Sequence, residues 1–166
     1  MMAAQQHGSD VAIQQLEPQP VVSIRALVQI ADLAQAQDDR LRTLSDYLQQ
    51  RGGQATGPPF VRYHTFEATE TDLELGIPLV APIEGEGRIV GGRLPGGPAI
   101  TTWHIGPHDT LAEAYARMGA WLKEHGREPD GAAWEVYYWI NPSQYGGPAT
   151  WPDPSSWRTQ LIQPIK

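Results

Sequence analysis

A chain of 166 residues suits one domain with a core of ordinary size. It contains no cysteine, which removes disulfides, thiolate zinc sites and cysteine nucleophiles from consideration. With 19 acidic side chains against 12 Lys and Arg the net charge is -7, which argues against a phosphate-binding surface and would welcome a cationic ligand, although the same charge also serves solubility alone.

No apolar run approaches the roughly 20 residues that a membrane-spanning helix needs, and the start of the chain lacks the charged-then-apolar order of a secretory signal. The cytoplasm is the expected compartment. Six Trp and six Tyr are more informative. They are large, rigid and amphipathic, and several fall where a simple core would use Leu or Val.

Residues 1–19 are polar and Gln-rich, and are expected to form a flexible tail ending at Pro18-Gln19-Pro20, with the domain running over 20–166. The tail is too short for a helix-turn-helix reader. VVSIRALV, from Val21, predicts a strand. Ile30, Leu33, Leu41, Leu44 and Leu48 then recur at helical spacing, interrupted by Gln37 and closed by Gly52-Gly53. PFVRYHTF and DLELGIPLV predict two strands joined by a polar turn around 68–71. After a loop rich in Gly and Glu, 87–94 and 98–105 flank Pro95-Gly96-Gly97 and predict a hairpin. A second helix is expected over about 110–125, with Thr110 and Glu113 at capping-box spacing, Leu111, Tyr115, Met118 and Leu122 as its buried stripe, and Gly126 at its end. AAWEVYYWI and SWRTQLIQPI are the last two strands, separated by the loop NPSQYGGPATWP.

The order strand, helix, strand, strand thus occurs twice, with one additional strand before the second copy. Displacing the first half by 74 positions places Leu41 on Tyr115, Leu44 on Met118, Leu48 on Leu122, Gly52 on Gly126, Gly57 on Gly131, Phe60 on Trp134 and Tyr63 on Tyr137. Pro78 and Pro164 register at 86, which sets Glu74 opposite Gln160, and the difference falls in the loop that carries Tyr145 and Trp151. A glycine, glycine, aromatic, tyrosine series in one register indicates an internal duplication.

PVVSIRA, GPPFVRYH, DLELGIPL, WHIGPHDTLAEAYARMGAWLKEHG, WEVYYWINP and WRTQLIQPI together resemble, in order and over about 20–166, the GyrI-like small-molecule-binding family, which includes effector domains of AraC-type and MerR-type multidrug regulators. The resemblance implies an α+β fold: two pseudo-symmetric repeats forming an antiparallel sheet, both helices on one face and a ligand cleft on the other. It implies a stand-alone domain that binds hydrophobic, aromatic, often cationic molecules through an acidic residue in an aromatic pocket, with Glu135 at the acidic position. Some relatives are hydrolases of cyclopropane-bearing alkylating natural products, in which Glu135 would be the base and Tyr63 or Tyr137 the acid or orienting group. No cofactor or metal is implied. The chain departs from the family at His108, where Tyr is usual, and at Gln160, where Glu is frequent.

Strand alternation supplies candidate ligand-binding residues without the family. In WEVYYWI one face carries Trp134, Val136, Tyr138 and Ile140, whose apolar character suits packing beneath helices; the other carries Glu135, Tyr137 and Trp139. A carboxylate between aromatic rings suits an organic cation, because ring faces attract positive charge and a dehydrated carboxylate attracts it more. The alternative is a solvated or salt-bridged Glu135. The phase of PFVRYHTF groups Val61, Tyr63 and Thr65, and DLELGIPLV sends Leu73, Leu75, Ile77 and Leu79 to the core and Glu74 towards the cleft, where it either joins Glu135 or lines a wet rim. Trp103 is either core or pocket, since the cleft-facing set of 98–105 is not determined by the pattern. Tyr145 and Trp151 either close over a ligand or pin their loop to the sheet. His104 and His108 have a four-residue spacing, but Gly106-Pro107 prevents one helix from carrying both to a metal. Val61 occupies the place of Glu135 in the first half, so the expected pocket is lopsided.

Overall fold

A computed structural model describes residues 10–166. In chain order its elements are β1 (Ala12–Leu16), β2 (Gln19–Gln29), α1 (Leu33–Arg51), β3 (Phe60–Phe66), β4 (Glu70–Pro78), β5 (Val90–Leu94), β6 (Gly97–Ile105), α2 (Ala112–His125), β7 (Trp134–Tyr137) and β8 (Arg158–Pro164). The strands form one antiparallel sheet in the order β1-β6-β8-β7-β3-β4-β2-β5, which is the expected α+β architecture. Among the described residues no helix is long and apolar enough to cross a membrane.

The duplication is visible in the register. β3 and β7 meet at the centre of the sheet, where Phe60 pairs with Val136, Val61 with Glu135, and Arg62 with Trp134. Val61 and Glu135 are repeat mates and pair with each other, so the pseudo-two-fold axis passes between them. Both helices end on their matching glycines in the left-handed conformation, Gly52 at φ 67° and Gly126 at φ 61°.

The additional strand belongs to the repeat. Leu16 pairs with Gly97 and Leu94 with Gln19, so β1 and β5 occupy equivalent places at opposite edges of the sheet. Each outer strand pairs with the other half of the molecule. The predicted hairpin over 87–94 and 98–105 therefore does not form: β5 lies along β2, while β6 lies between β1 and β8. The expected tail is also corrected, because 12–16 form β1 and Gln19 already belongs to β2. A five-residue strand with an exposed outer side offers little hydrophobic pattern, and its backbone pairing with β6 secures it. The first part of the expected tail, residues 1–9, lies outside the described residues.

One row of paired residues crosses the sheet and determines which side the helices cover: Ile24, Leu75, Val61, Glu135, Leu161 and Thr102. Leu41, Leu44 and Leu48 of α1 share a core with Ile24, Leu75 and Val61, and Ala114 and Met118 of α2 share one with Leu161 and Ile100. Both helices thus lie on the same face, and Glu135 stands in the row between them. On the bare face Phe60, Trp134 and Ile162 pack with Val21, Leu94 and Ala99 beneath the links from β1 to β2 and from β5 to β6.

Two local expectations differ. Thr110 forms no capping box, because it lies in a 3-10 turn over 108–110 and its hydroxyl bonds to His104 Nε2 at 3.0 Å and to the Pro107 carbonyl at 3.1 Å. β7 stops at Tyr137, since the Ile140 N–H turns back to the Tyr137 carbonyl, and Trp139 leaves the ladder.

Candidate functional site

A cleft of about 780 Å³ opens between the helices, on the side of the sheet that they cover. The turn into α1 supplies Ile30, Ala31, Leu33, Ala34 and Gln37; the entry and first turns of α2 supply His108, Leu111, Ala112 and Tyr115; the sheet supplies Tyr63, Phe66 and Glu135. Its volume is that of an ordinary small-molecule site, mostly apolar with few polar groups.

Glu135 is the acid of this cleft and is 3% exposed. Its Oε1 accepts the Tyr137 hydroxyl at 2.8 Å and its Oε2 the Tyr115 hydroxyl at 2.5 Å. Burial raises the carboxyl above its usual range, against the two phenolic hydrogen bonds, which act in the other direction. The hydroxyls of Tyr63, Tyr115 and Tyr137 are all pushed up, first by burial and then by the Glu135 charge, so they remain protonated donors. Tyr63 is in polar contact with Tyr137 and with Gln37, the residue that interrupts the α1 stripe.

His108 is a wall of the same cleft. Burial, with His104 a lesser cause, lowers its pKa to about 4, so the ring is neutral at neutral pH. Its Nε2 lies 3.2 Å from Thr159 Oγ1, and its ring packs against Tyr137, Trp139 and Trp157 at 5.0, 5.3 and 5.3 Å. His104 turns away to Pro107 and Thr110. Among the described residues no group of three His, Asp or Glu could hold a metal ion.

The predicted site residues divide. Glu135, Tyr137 and Tyr63 meet, and Val61 lies buried beside Glu135 on the adjacent strand. Trp139 stacks behind them, parallel to Trp157 at 4.5 Å and on Tyr137 at 4.9 Å. Glu74 does not join Glu135: its core neighbours Leu73 and Leu75 face the helices, so Glu74 faces away and accepts hydrogen bonds from Ser23 at 2.7 Å and from His64 at 2.9 Å. Trp103 also lies on the bare face, against Tyr138 and beneath Arg158. The Tyr145 hydroxyl donates to Asp38 of α1 at 2.6 Å, and Trp151 stands edge-on to Trp157, so both pin their loop and wall a separate concavity of about 210 Å³.

The expected side of the cleft is likewise reversed. The bare face has a smaller concavity of about 300 Å³ lined by Phe60, Trp134, Val136 and Tyr138, but Glu135 points to the other side. Glu135 and Tyr137 share one face, as the alternation predicts, but it is the face that the helices cover, and Ile140 joins that core instead of the Trp134 and Val136 face. Tyr115, Gln37, Phe66, Leu111 and the turn into α1 also line the cleft, which strand alternation does not reveal because all but Phe66 lie outside the strands. Tyr115 left a signal, because it is a polar-tipped residue in a stripe whose repeat mate is Leu41.

A family model for the GyrI-like small molecule binding domain matches residues 9–166. The chain belongs to this GyrI-like family. Among solved structures it is similar to the EcmrR C-terminal domain, at 21% identity and TM-score 0.77, over 95% of this chain and 97% of that one. The EcmrR chain in a complex with DNA is longer, and this chain spans 57% of it. A hydrolase from Listeria innocua matches at 11% identity and TM-score 0.68, over 96% and 93% of the two chains. The protein SAV2435, bound to tetraphenylphosphonium, matches at 11% identity and TM-score 0.57, over 95% and 94%. At these identities the likeness is one of fold. No curated protein matches the chain.

Proposed function

We propose that this GyrI-like domain binds hydrophobic aromatic cations in the cleft between its helices, as a sensing or sequestering module. One observation carries the reading: the cleft has a single carboxylate, Glu135, held among Tyr63, Tyr115 and Tyr137 at the base of an otherwise apolar enclosure. A carboxylate with little water around it attracts a cation more strongly than one at the surface, and the surrounding rings add their own attraction. The neutral His108 contributes a ring to the wall without opposing a positive ligand. SAV2435 with its tetraphenylphosphonium supports the reading by analogy of fold. The acidic balance of the chain accords with ligand binding free of direct nucleic-acid contact, and the cytoplasm is the proposed compartment.

Titration with tetraphenylphosphonium, followed by calorimetry, tests this. Glu135→Gln retains the shape of the side chain and removes its charge, and is expected to weaken binding at least about tenfold. Unchanged affinity would show that the carboxylate is not the charge partner.

A second reading rests on the same group. A buried carboxyl with a raised pKa beside two phenols has the composition of a general base with its proton donors, and fits hydrolysis of a cyclopropane-bearing alkylating compound. Ring-opened product above the buffer rate, detected by mass, would establish it; product at the buffer rate would reject it.

A further inference from the structure

Both oxygens of Glu135 are occupied by phenols, and the three groups differ in how they meet the cleft. Tyr137 is 3% exposed and so is Glu135, whereas Tyr115 is 36% exposed and lines the cleft directly. Of the two phenols on the carboxylate, Tyr115 is thus the one open to the cleft. Its hydroxyl occupies Oε2, so a ligand seeking that oxygen meets the phenol there.

Two kinds of cation meet this arrangement differently. A primary ammonium is a compact, strongly hydrated charge that gives up its water only for direct hydrogen bonds, which a carboxylate must supply with its own oxygens. A delocalised cation without N–H groups is weakly hydrated and needs no such bond. It gains from ring faces and from a negative charge one layer behind them.

The other half of the repeat has no counterpart of the hydroxyl. The mate of Tyr115 in α1 is Leu41, an aliphatic residue that is 2% exposed in the α1 core. The phenol is particular to the half that carries the acid.

We infer that Tyr115 sets the selectivity of the cleft: by capping Glu135 it bars cations that need direct contact with the carboxylate, and leaves the site to delocalised cations lacking N–H donors. This rests on Glu135 being the charge partner. Tyr115 determines which cations use that charge, while Glu135 determines whether any do.

The test compares tetraphenylphosphonium with 3,3-diphenylpropylammonium, a primary ammonium with two phenyl groups, on wild type and on Tyr115→Phe, which retains the ring. Wild type is expected to favour the phosphonium at least about tenfold, and Tyr115→Phe to reduce that ratio at least about tenfold, chiefly by tighter binding of the ammonium. A phenol that served only to hold the fold would move both affinities together and leave the ratio unchanged. An unchanged ratio in a folded variant overturns the inference. Equal affinities in the wild type overturn it without any variant, so a failure of Tyr115→Phe to fold does not protect it. If neither probe binds the wild type, the reading of Glu135 as charge partner falls as well.

Discussion

The affinity of the cleft for a permanent cation is expected to rise steeply with pH, by about tenfold per unit below the folded pKa of Glu135. The proton and the ligand compete for one carboxylate. Burial raises that carboxyl above its ordinary value, so the competition extends into milder acid than for a surface glutamate. The groups around it do not titrate in this range: the phenols of Tyr63, Tyr115 and Tyr137 are pushed up, and His108 stays neutral down to about pH 4. Tetraphenylphosphonium carries the same charge at every pH. A calorimetric series descending from pH 8 is therefore expected to show affinity falling by about tenfold per unit once the pH is below that pKa, and a flat profile in Glu135→Gln. A flat wild-type profile would mean that Glu135 is not being ionised for the ligand.

Stability without ligand carries opposed slopes. The unfolded chain protonates His108 near 6.5 and the folded chain only near 4; between them the unfolded state holds more protons, and stability falls as pH drops from 6.5 towards 4. Glu135 acts in reverse. Its folded pKa lies above the unfolded value of 4.5, so the folded state holds more protons in that interval and stability falls as pH rises through it. Glu135→Gln removes the second slope and retains the first.

Leu44→Ala is expected to cost about 3–5 kcal/mol of folding stability. Leu44 is fully buried in α1 and shares a core with Val61, Leu73 and Tyr137, the residues that support the floor of the cleft. Truncation removes apolar contacts and leaves a void that the close-packed core around it closes only in part. Denaturant unfolding measures the loss. Leu27→Ala, at a position that is 62% exposed, is the control and is expected to stay within about 0.5 kcal/mol. Similar costs at the two positions would contradict the assignment of α1 to the core.

Much of the frame was legible because it depends on short-range chemistry. Gly52 and Gly126 close their helices in the left-handed conformation that glycine tolerates, and the Tyr63 and Tyr137 register survives in the structure as paired central strands. The pairing of Val61 with Glu135 follows from the same register, since the two are mates and neighbours at once. The side of the cleft was not legible. The apolar character of the face with Trp134 and Val136 suggests that the helices cover it, but alternation gives two sets without saying what covers each. The links from β1 to β2 and from β5 to β6 bury that face instead. The exchange of outer strands was hidden by Pro95-Gly96-Gly97, which reads as a turn although it carries the chain from one edge of the sheet to a partner on the other side. Glu74 shows how a correct phase can still mislead, because facing away from Leu73 and Leu75 meant facing away from Glu135.

The most direct test is a structure with tetraphenylphosphonium bound. The ligand is expected between α1 and α2, with its charged centre near Glu135 and phenyl groups against Tyr63, Tyr115 and His108. A ligand seated on the bare face, among Phe60, Trp134 and Tyr138, would contradict it.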